Sequence, residues 1–412
     1  MREEIQAVGL DVGTSRVRCV IGEPADNGRM NIIGIGEAES KGLRRGIVTG
    51  AESVSEAIRR AVNEAERMSG RDALSAFVNL SGEHFRGENK NGVVAVAGAG
   101  REITEDDVER AVESASAMPL PPGWEIIDRL PREFIIDGQD GITEPVGMTG
   151  ARLEALVHVV TSPSAGSQNL IKAVMRAGLE VERMMLEPLA AAESTLSDDD
   201  REYGCAIVNI GAELTSLMIF GRGAVQHTAV FPFGSMHFTK DIAVGLRVSI
   251  PEANKIKHHH GCVASFLMNG DERSEVIEIV PVGRSETRGL SKEILCDIMQ
   301  PRAIELLQHV AHEALAANVQ IPSGVVLTGG GSVVRGMVEI AEQVFDAPTR
   351  LGFLEPEFFG GLVEKVQSPH WAVSTGLALS SMRSQMRGFH ANGRSATSKV
   401  AEWFENFREK FR

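Results

Sequence analysis

The sequence predicts an α/β fold of two related lobes facing one another, on three observations. First, a strand, glycine turn and strand occur twice. QAVGLDVGTSRVRCVIG (Gln6 to Gly22) and GCAIVNIGAELTSLMIF (Gly204 to Phe220) superpose at a constant offset of 198, with Asn209 on Asp11 and Gly211 on Gly13. Second, each unit leads into a third strand: Met30 to Glu37 after an Asp26-Asn27-Gly28 turn, and a strand ending at Phe231-Pro232-Phe233-Gly234. Third, SGVVLTGGGSVVRGMVEIAEQVF (Ser323 to Phe345) reads as a buried strand, Gly329-Gly330-Gly331, then an amphipathic helix. Glycine lets backbone N–H groups approach a ligand, and a helix N-terminus behind them adds partial positive charge. The two hairpin turns and this loop together can surround a nucleotide in a central cleft.

The other elements follow in order. Val54, Ala57, Ile58, Ala61, Val62 and Ala65 recur at helical spacing between Ser53 and Met68. Residues Ser81 to Thr161 look inserted: a strand from Gly92 to Ala97, a helix capped at Thr104 with Asp107 three residues on, a Pro-rich turn, and strands at Glu125–Leu130 and Leu153–Val160. LEPLAAAESTL (Leu186 to Leu196) predicts a helix starting near Pro188, and Ser197-Asp198-Asp199-Asp200 a solvated acidic turn. Lys240 to Ala317 is mostly helical, with a short strand pair near Val276–Val282.

Composition narrows the function classes. The 412 residues suggest two to three domains at about 150 residues each. A formal charge of −14 supplies no basic field for nucleic acid. Cys19, Cys205, Cys262 and Cys296 are scattered singly, which fits a reducing cytosol rather than disulfides or zinc. No apolar run reaches the roughly 18 residues of a spanning helix, and Glu3, Glu4 and Asp11 argue against a signal peptide. His258-His259-His260 predicts no metal site, since neighbours on a helix point in different directions.

The aromatic residues break this plain pattern. They make up 5% of the chain, yet Trp403, Phe404, Phe407 and Phe411 crowd its end. Residues 383–397 read as a flexible linker with a reach of roughly 20 Å. Beyond it, Val400 and the four aromatics of SKVAEWFENFREKFR (Ser398 to Arg412) form one helical stripe. Lys399, Lys410, Arg408 and Arg412 flank it, and Glu402, Glu405 and Glu409 lie opposite. That is the layout of a helix lying in a membrane interface, favoured here over one docking on the protein's own core. One short helix attaches weakly, so several copies on a filament would bind far more tightly.

GLDVGTSRVRCVI, EPLAAAESTL, the second hairpin and VVLTGGG resemble the phosphate, connecting and adenosine motifs of the actin-like ATPases. Within that superfamily, GIVTGAESVSEAIRRAVNEAE, VNLSGEHF, PREFIIDGQDGITEPVGMTGARLEALVHVVT, FGSMHFTKDIA, KHHHGC and PRAIELL resemble the bacterial cell-division family FtsA, over nearly the whole chain and in order. The resemblance implies an actin-like, duplicated ribonuclease H-like fold. Subdomain IA would take residues 1–80 and 162–198 with a closing helix over 369–382, and an FtsA-specific IC insert 81–161. IIA would take 199–239 and 318–368, IIB 240–317, and a membrane-targeting helix 398–412.

Carried over by residue, the resemblance implies ATP or ADP bound by Gly13, Thr14, Ser15 and Arg16 of the first phosphate turn and Gly211 of the second. Gly234 and Ser235 would follow, then Glu252 to Lys257 of the helix touching ribose and base, and Gly329, Gly330 and Gly331 of the adenosine loop. Asp11, Glu187 and Asn209 would hold Mg²⁺, mostly through water. Arg288, Arg302 and Glu305 fall in the stretch implied to dock the C-terminal tail of the tubulin-like FtsZ. The family further implies filaments on the cytoplasmic face of the inner membrane, as a peripheral protein at the division site, and contacts with later division proteins.

Two departures bear on catalysis. The second phosphate turn carries Asn209 where Asp is common, losing a charge that would help hold Mg²⁺, and Glu213 would repel phosphate if it faced the cleft. Asn254 stands where the family often has Glu. The expectation is ATP binding with weak or absent turnover. A sugar or acetate kinase of the same superfamily is the alternative, but no motif supplies its base or substrate pocket. A chaperone ATPase would need a substrate-binding domain beyond Gly388, where 24 residues remain.

Overall fold

The computed structural model describes residues 5–25, 28–97, 102–283 and 286–391. The repeat seen in the sequence is a repeat of sheet topology. In the first lobe, Ala7–Val12 pairs antiparallel with Arg16–Pro24, which pairs antiparallel with Met30–Glu39. Ser75–Leu80 then adds parallel to Ala7–Val12, and Glu180–Leu186 parallel to Ser75–Leu80. The second lobe repeats each step with Cys205–Ile210, Thr215–Gly221, Ala224–Phe231, Val325–Thr328 and Thr349–Leu351. The offset of 198 survives in hydrogen bonds: Gly13 N–H donates to the Arg16 carbonyl at 3.0 Å and Gly211 N–H to the Leu214 carbonyl at 2.9 Å.

Each sheet is covered where the apolar pattern demands. Helix Ala51–Ser69 buries Val54, Ala57, Ile58, Ala61, Val62 and Ala65 against the first sheet. Helix Lys292–Ala316 buries Leu295, Met299, Leu306 and Val310 with Phe238 and Ile242 of helix Met236–Leu246. A separate four-stranded sheet, ordered Arg86–Ala95, Arg152–Pro163, Trp124–Ile136 and Gln139–Ile142, carries helix Glu105–Ser116 on one face. It touches the second lobe, where buried His158 bonds Asn89 at 2.7 Å and Thr228 at 2.8 Å.

One apolar cluster joins the lobes. Leu186, Ala190 and Leu196 meet Ile207, Met218 and Phe220 there, closed over by Val373 and Leu377 of helix Ala372–Ala391. Two glycines permit this packing. A Cβ at Gly376 would lie 1.7 Å from the Ala190 carbonyl oxygen of helix Glu187–Thr195, and one at Gly9 would lie 2.1 Å from the Ser374 carbonyl oxygen.

The structure corrects four local readings. The acidic run is solvated, with Asp198 and Asp199 exposed, but it is a helix start rather than a turn: Ser197 caps a short helix, Asp198–Tyr203, in a capping box with Asp200. Helix Ala372–Ala391 runs through the first part of the expected linker, because Arg383 reaches Glu193 at 2.8 Å and Gln385 donates to the Gln6 carbonyl at 3.0 Å. The helix after the glycine loop starts only at Met337, so its N-terminus does not stand directly behind Gly329-Gly330-Gly331. The insert's first strand begins at Arg86 rather than Gly92; its first half is polar and carries no alternation to read. Strands Ser75–Leu80 and Glu180–Leu186 had no separate sequence signal.

Candidate functional site

The two matched turns and the glycine loop converge on a cleft of about 350 Å³ between the lobes. Of the residues the sequence singled out, Gly13, Thr14, Ser15, Arg16, Gly211, Ser235, Lys257, Gly329 and Gly330 line it, together with Asp11, Glu187 and Asn209. Gly234, Glu252 and Gly331 do not. A Cβ at Gly234 would fall 2.6 Å from the Gly211 carbonyl oxygen, so this glycine lets the turn close. Gly331 packs on Ile210, donating its N–H to the Ile210 carbonyl at 2.8 Å. Glu252 points to Lys255 at 3.8 Å, while Asn254, on the same helix Ile250–His260, faces the cleft.

Why these turns could hold an anion follows from their bonds. Gly13 N–H closes the first turn onto Arg16, leaving the N–H groups of Thr14 and Ser15 without a backbone partner among the described residues. Gly329, at φ +82°, donates to the Pro369 carbonyl at 3.0 Å, and Ser332 Oγ donates back to the Gly329 carbonyl at 2.7 Å. Lys257 reaches in from its helix, donating to Thr239 Oγ1 at 2.9 Å and the Ser235 carbonyl at 3.3 Å. Burial holds its ammonium down at about 8.

The floor is acidic and unsatisfied. Asp11, 6% exposed, has one carboxylate oxygen, Oδ1, buried without a hydrogen-bond partner. Burial pushes its acid constant up to about 6; the Arg18 guanidinium, 4.0 Å away and itself bonded to Glu37 at 2.8 Å, opposes the shift. Glu187 opens helix Glu187–Thr195 and is driven to about 8 by burial first, then by the neighbouring charge of Asp11. Asn209 Nδ2 donates to Glu187 at 2.7 Å, and Asn209 Oδ1 accepts from Thr328 at 3.1 Å. Asn209 therefore positions Glu187, with both ends of its amide already engaged. Two buried acids that resist ionisation, one with an orphaned oxygen, fit a hard divalent cation with oxygen ligands.

Several cleft residues had no sequence signal. Ser81 arrives from the end of strand Ser75–Leu80. His370 bonds Ser368 at 2.7 Å and is held down to about 4 by burial and then by Arg18. His258 faces the cleft, whereas His260 points to Glu275 at 3.6 Å, so the histidine run diverges. Among the described residues no three His, Cys, Asp or Glu side chains gather as a metal cluster.

Glu213 does not line the cleft: its carboxylate accepts the Arg45 backbone N–H at 2.8 Å. Arg302 Nε is turned to Asp241 at 2.7 Å, and the guanidinium also meets Glu305. Glu305 lines a groove of about 420 Å³ beside Pro301 and Ile304; Arg288, on strand Arg288–Ser291, does not. Arg302 and Glu305 are therefore neighbours, and of the three residues Glu305 is the one that lines this groove. Val400, Trp403, Phe404, Phe407 and Phe411 lie outside the described residues.

Residues 82–161 match the family described as the SHS2 domain inserted in FtsA, and residues 206–376 match the cell division protein FtsA. The chain is 40% identical over 383 residues to the cell division protein FtsA of Pseudomonas aeruginosa, covering 92% of this chain and 90% of that one. The chain belongs to the FtsA family of cell-division proteins. Solved structures give this FtsA-family chain an actin-like fold. The PilM–PilN type IV pilus biogenesis complex matches at TM-score 0.65 and 18% identity, over 92% of this chain and 99% of that one. MreB5 of Spiroplasma citri bound to AMPPNP matches at TM-score 0.56 and 15% identity, over 95% and 100%.

Proposed function

We propose that this FtsA-family chain binds ATP or ADP with Mg²⁺ in the interlobe cleft, turns it over weakly or not at all, and polymerises on the cytoplasmic face of the inner membrane. There it would anchor FtsZ filaments at the division site and help recruit later division proteins. The observation that carries the nucleotide reading is the pair of equivalent turns at Gly13 and Gly211 facing the orphaned Asp11 oxygen and the buried Glu187. The fold relative MreB5, whose structure holds AMPPNP, supports the same reading.

Asp11 and Glu187 are the residues to hold Mg²⁺, which would neutralise phosphate charge. The N–H groups of Thr14 and Ser15 would take phosphate oxygens, and Arg16 and Lys257 would balance the polyanion. Asn209, engaged by Glu187 and Thr328, contributes no charge, which supports slow turnover. The cleft test is equilibrium binding of a fluorescent ATP analogue with and without Mg²⁺. Asp11→Ala should abolish the Mg²⁺ dependence. A parent rate of several turnovers per second, lost in that variant, would overturn the slow-turnover reading. The family relation does not favour the kinase alternative.

Membrane attachment is assigned to Ser398–Arg412, whose net charge of +1 makes hydrophobic insertion dominate over lipid attraction. Trp403→Glu should abolish cosedimentation with liposomes while leaving nucleotide binding intact; persistent sedimentation refutes the anchor. The FtsZ tail is assigned to the stretch of residues 240–317 that holds Arg288, Arg302 and Glu305, of which Glu305 lines the groove beside Pro301 and Ile304. Glu305→Lys should weaken binding of a synthetic FtsZ-tail peptide, and unchanged affinity removes Glu305 from that surface.

A further inference from the structure

The second phosphate turn carries a carboxylate where phosphate would approach, and the fold disposes of it in a specific way. Glu213 Oε2 accepts the backbone N–H of Arg45 at 2.8 Å, joining residues 168 positions apart in opposite lobes. Arg45 and Gly46 form the tip of a hairpin in which Leu43 pairs with Val48 and Arg44 with Ile47. Both tip residues have positive φ, 48° and 76°, the combination of a two-residue type I′ turn. The Arg45 N–H thus projects from the tip outside the ladder, with Glu213 as its acceptor.

The tip is braced from its own lobe. Arg45 Nη1 meets Glu83 at 2.9 Å, the Gly42 carbonyl accepts Thr49 and Gly50 N–H at 2.7 and 3.0 Å, and Gly46 lies so close to Ser81 that a Cβ would come within 2.5 Å of its carbonyl oxygen. Because the guanidinium is committed to Glu83, Glu213 takes only the main-chain proton of Arg45. On the other side, Gly211, Ala212 and Leu214 line the cleft around Glu213, and Ser81 lines it beneath the hairpin. Elsewhere the lobes are tied by the apolar cluster around Leu186 and Phe220, through the insert by His158 to Thr228 and Arg132 to Gln226, and at the cleft floor by Asn209 to Glu187 and by Gly329 N–H to Pro369. The Glu213 bond instead ties the flank of the phosphate turn.

We propose that Glu213 is a clasp: a positioning residue that holds the second phosphate turn against the hairpin of the first lobe and slows escape of nucleotide from the closed cleft. The role in nucleotide retention rests on the nucleotide reading above; the closure itself does not. A charge-assisted hydrogen bond across a half-exposed gap is strong enough to matter and weak enough to open.

Two measurements on the full chain separate these layers. In stopped-flow displacement of a fluorescent ATP analogue with Mg²⁺, Glu213→Ala should speed dissociation roughly tenfold, the scale of one lost hydrogen bond to a charged group. Glu213→Gln keeps an acceptor oxygen and should stay within about threefold of the parent. Arg45→Asn keeps the main-chain donor in a residue that tolerates positive φ, and should also stay close to the parent. Spin labels at Leu74→Cys and Val244→Cys, exposed positions in opposite lobes, then report lobe separation without nucleotide; the native cysteines are buried. Glu213→Ala should lengthen or broaden that distance, and Glu213→Gln should restore it. Unchanged distances in Glu213→Ala overturn the clasp, as does a Gln variant that opens as far as Ala. If no variant, parent included, binds the analogue, the nucleotide reading fails while the distances still decide the clasp.

Discussion

Replacing Glu187 by Gln tests the electrostatics of the cleft floor through the stability of the nucleotide-free protein. Glu187 is buried, and its acid constant stands at about 8 against an ordinary 4.5. Its folded-state value is raised, so the folded protein holds a proton that the unfolded chain has released. The contribution is therefore fully present below pH 4.5 and is lost as pH rises through 8. At about 1.4 kcal/mol per pH unit the whole window is worth on the order of 5 kcal/mol, most of it already lost at neutral pH. Gln carries no titratable proton and should remove that slope. Urea unfolding of the nucleotide-free protein, parent and Glu187→Gln in parallel from pH 5 to 8.5, supplies the assay. The comparison must be a difference, because buried His158, held down to about 3 mainly by burial, pulls the other way and loses stability as pH falls below 6.5. The parent should lose several kcal/mol relative to the variant across this range. A difference that stays flat with pH would refute the reasoning that Glu187 is desolvated and crowded by Asp11.

Two further outcomes follow from the same geometry. Asn209→Asp removes the donor to Glu187 and adds a third carboxylate, so the nucleotide-free protein should lose roughly 2 kcal/mol at pH 8 while Mg²⁺ stabilises it more than the parent. Thermal unfolding with and without Mg²⁺ reads both effects, and equal Mg²⁺ shifts in the two proteins would count against a cation on this floor. Gly376→Val forces a side chain into the 1.7 Å gap to the Ala190 carbonyl oxygen, and should cost about 3 kcal/mol in urea unfolding. A variant of parental stability would mean the helices can part without loss.

The sequence alone determined the duplication and its partners. Alternating apolar strands around a glycine turn are local signals, and their offset of 198 between Asp11 and Asn209 needed no coordinates. The helix Ala51–Ser69 was equally plain, because its buried face is written at helical spacing. Strands Ser75–Leu80 and Glu180–Leu186 were not, since they are short and their parallel partners lie far away in the sequence. Helix Ala372–Ala391 outran its sequence for the same reason. Contacts of Arg383 and Gln385 with Glu193 and Gln6 hold residues that have no apolar period of their own. Within the site, the sequence named the phosphate turns, because glycine there is a backbone requirement. Only the tertiary structure decided what the polar side chains do. It engages both ends of Asn209, excludes Glu252 in favour of Asn254, and turns Glu213 from the cleft onto the Arg45 backbone. A side chain's partner depends on which chain segment lies opposite, and here that segment is often more than a hundred residues away.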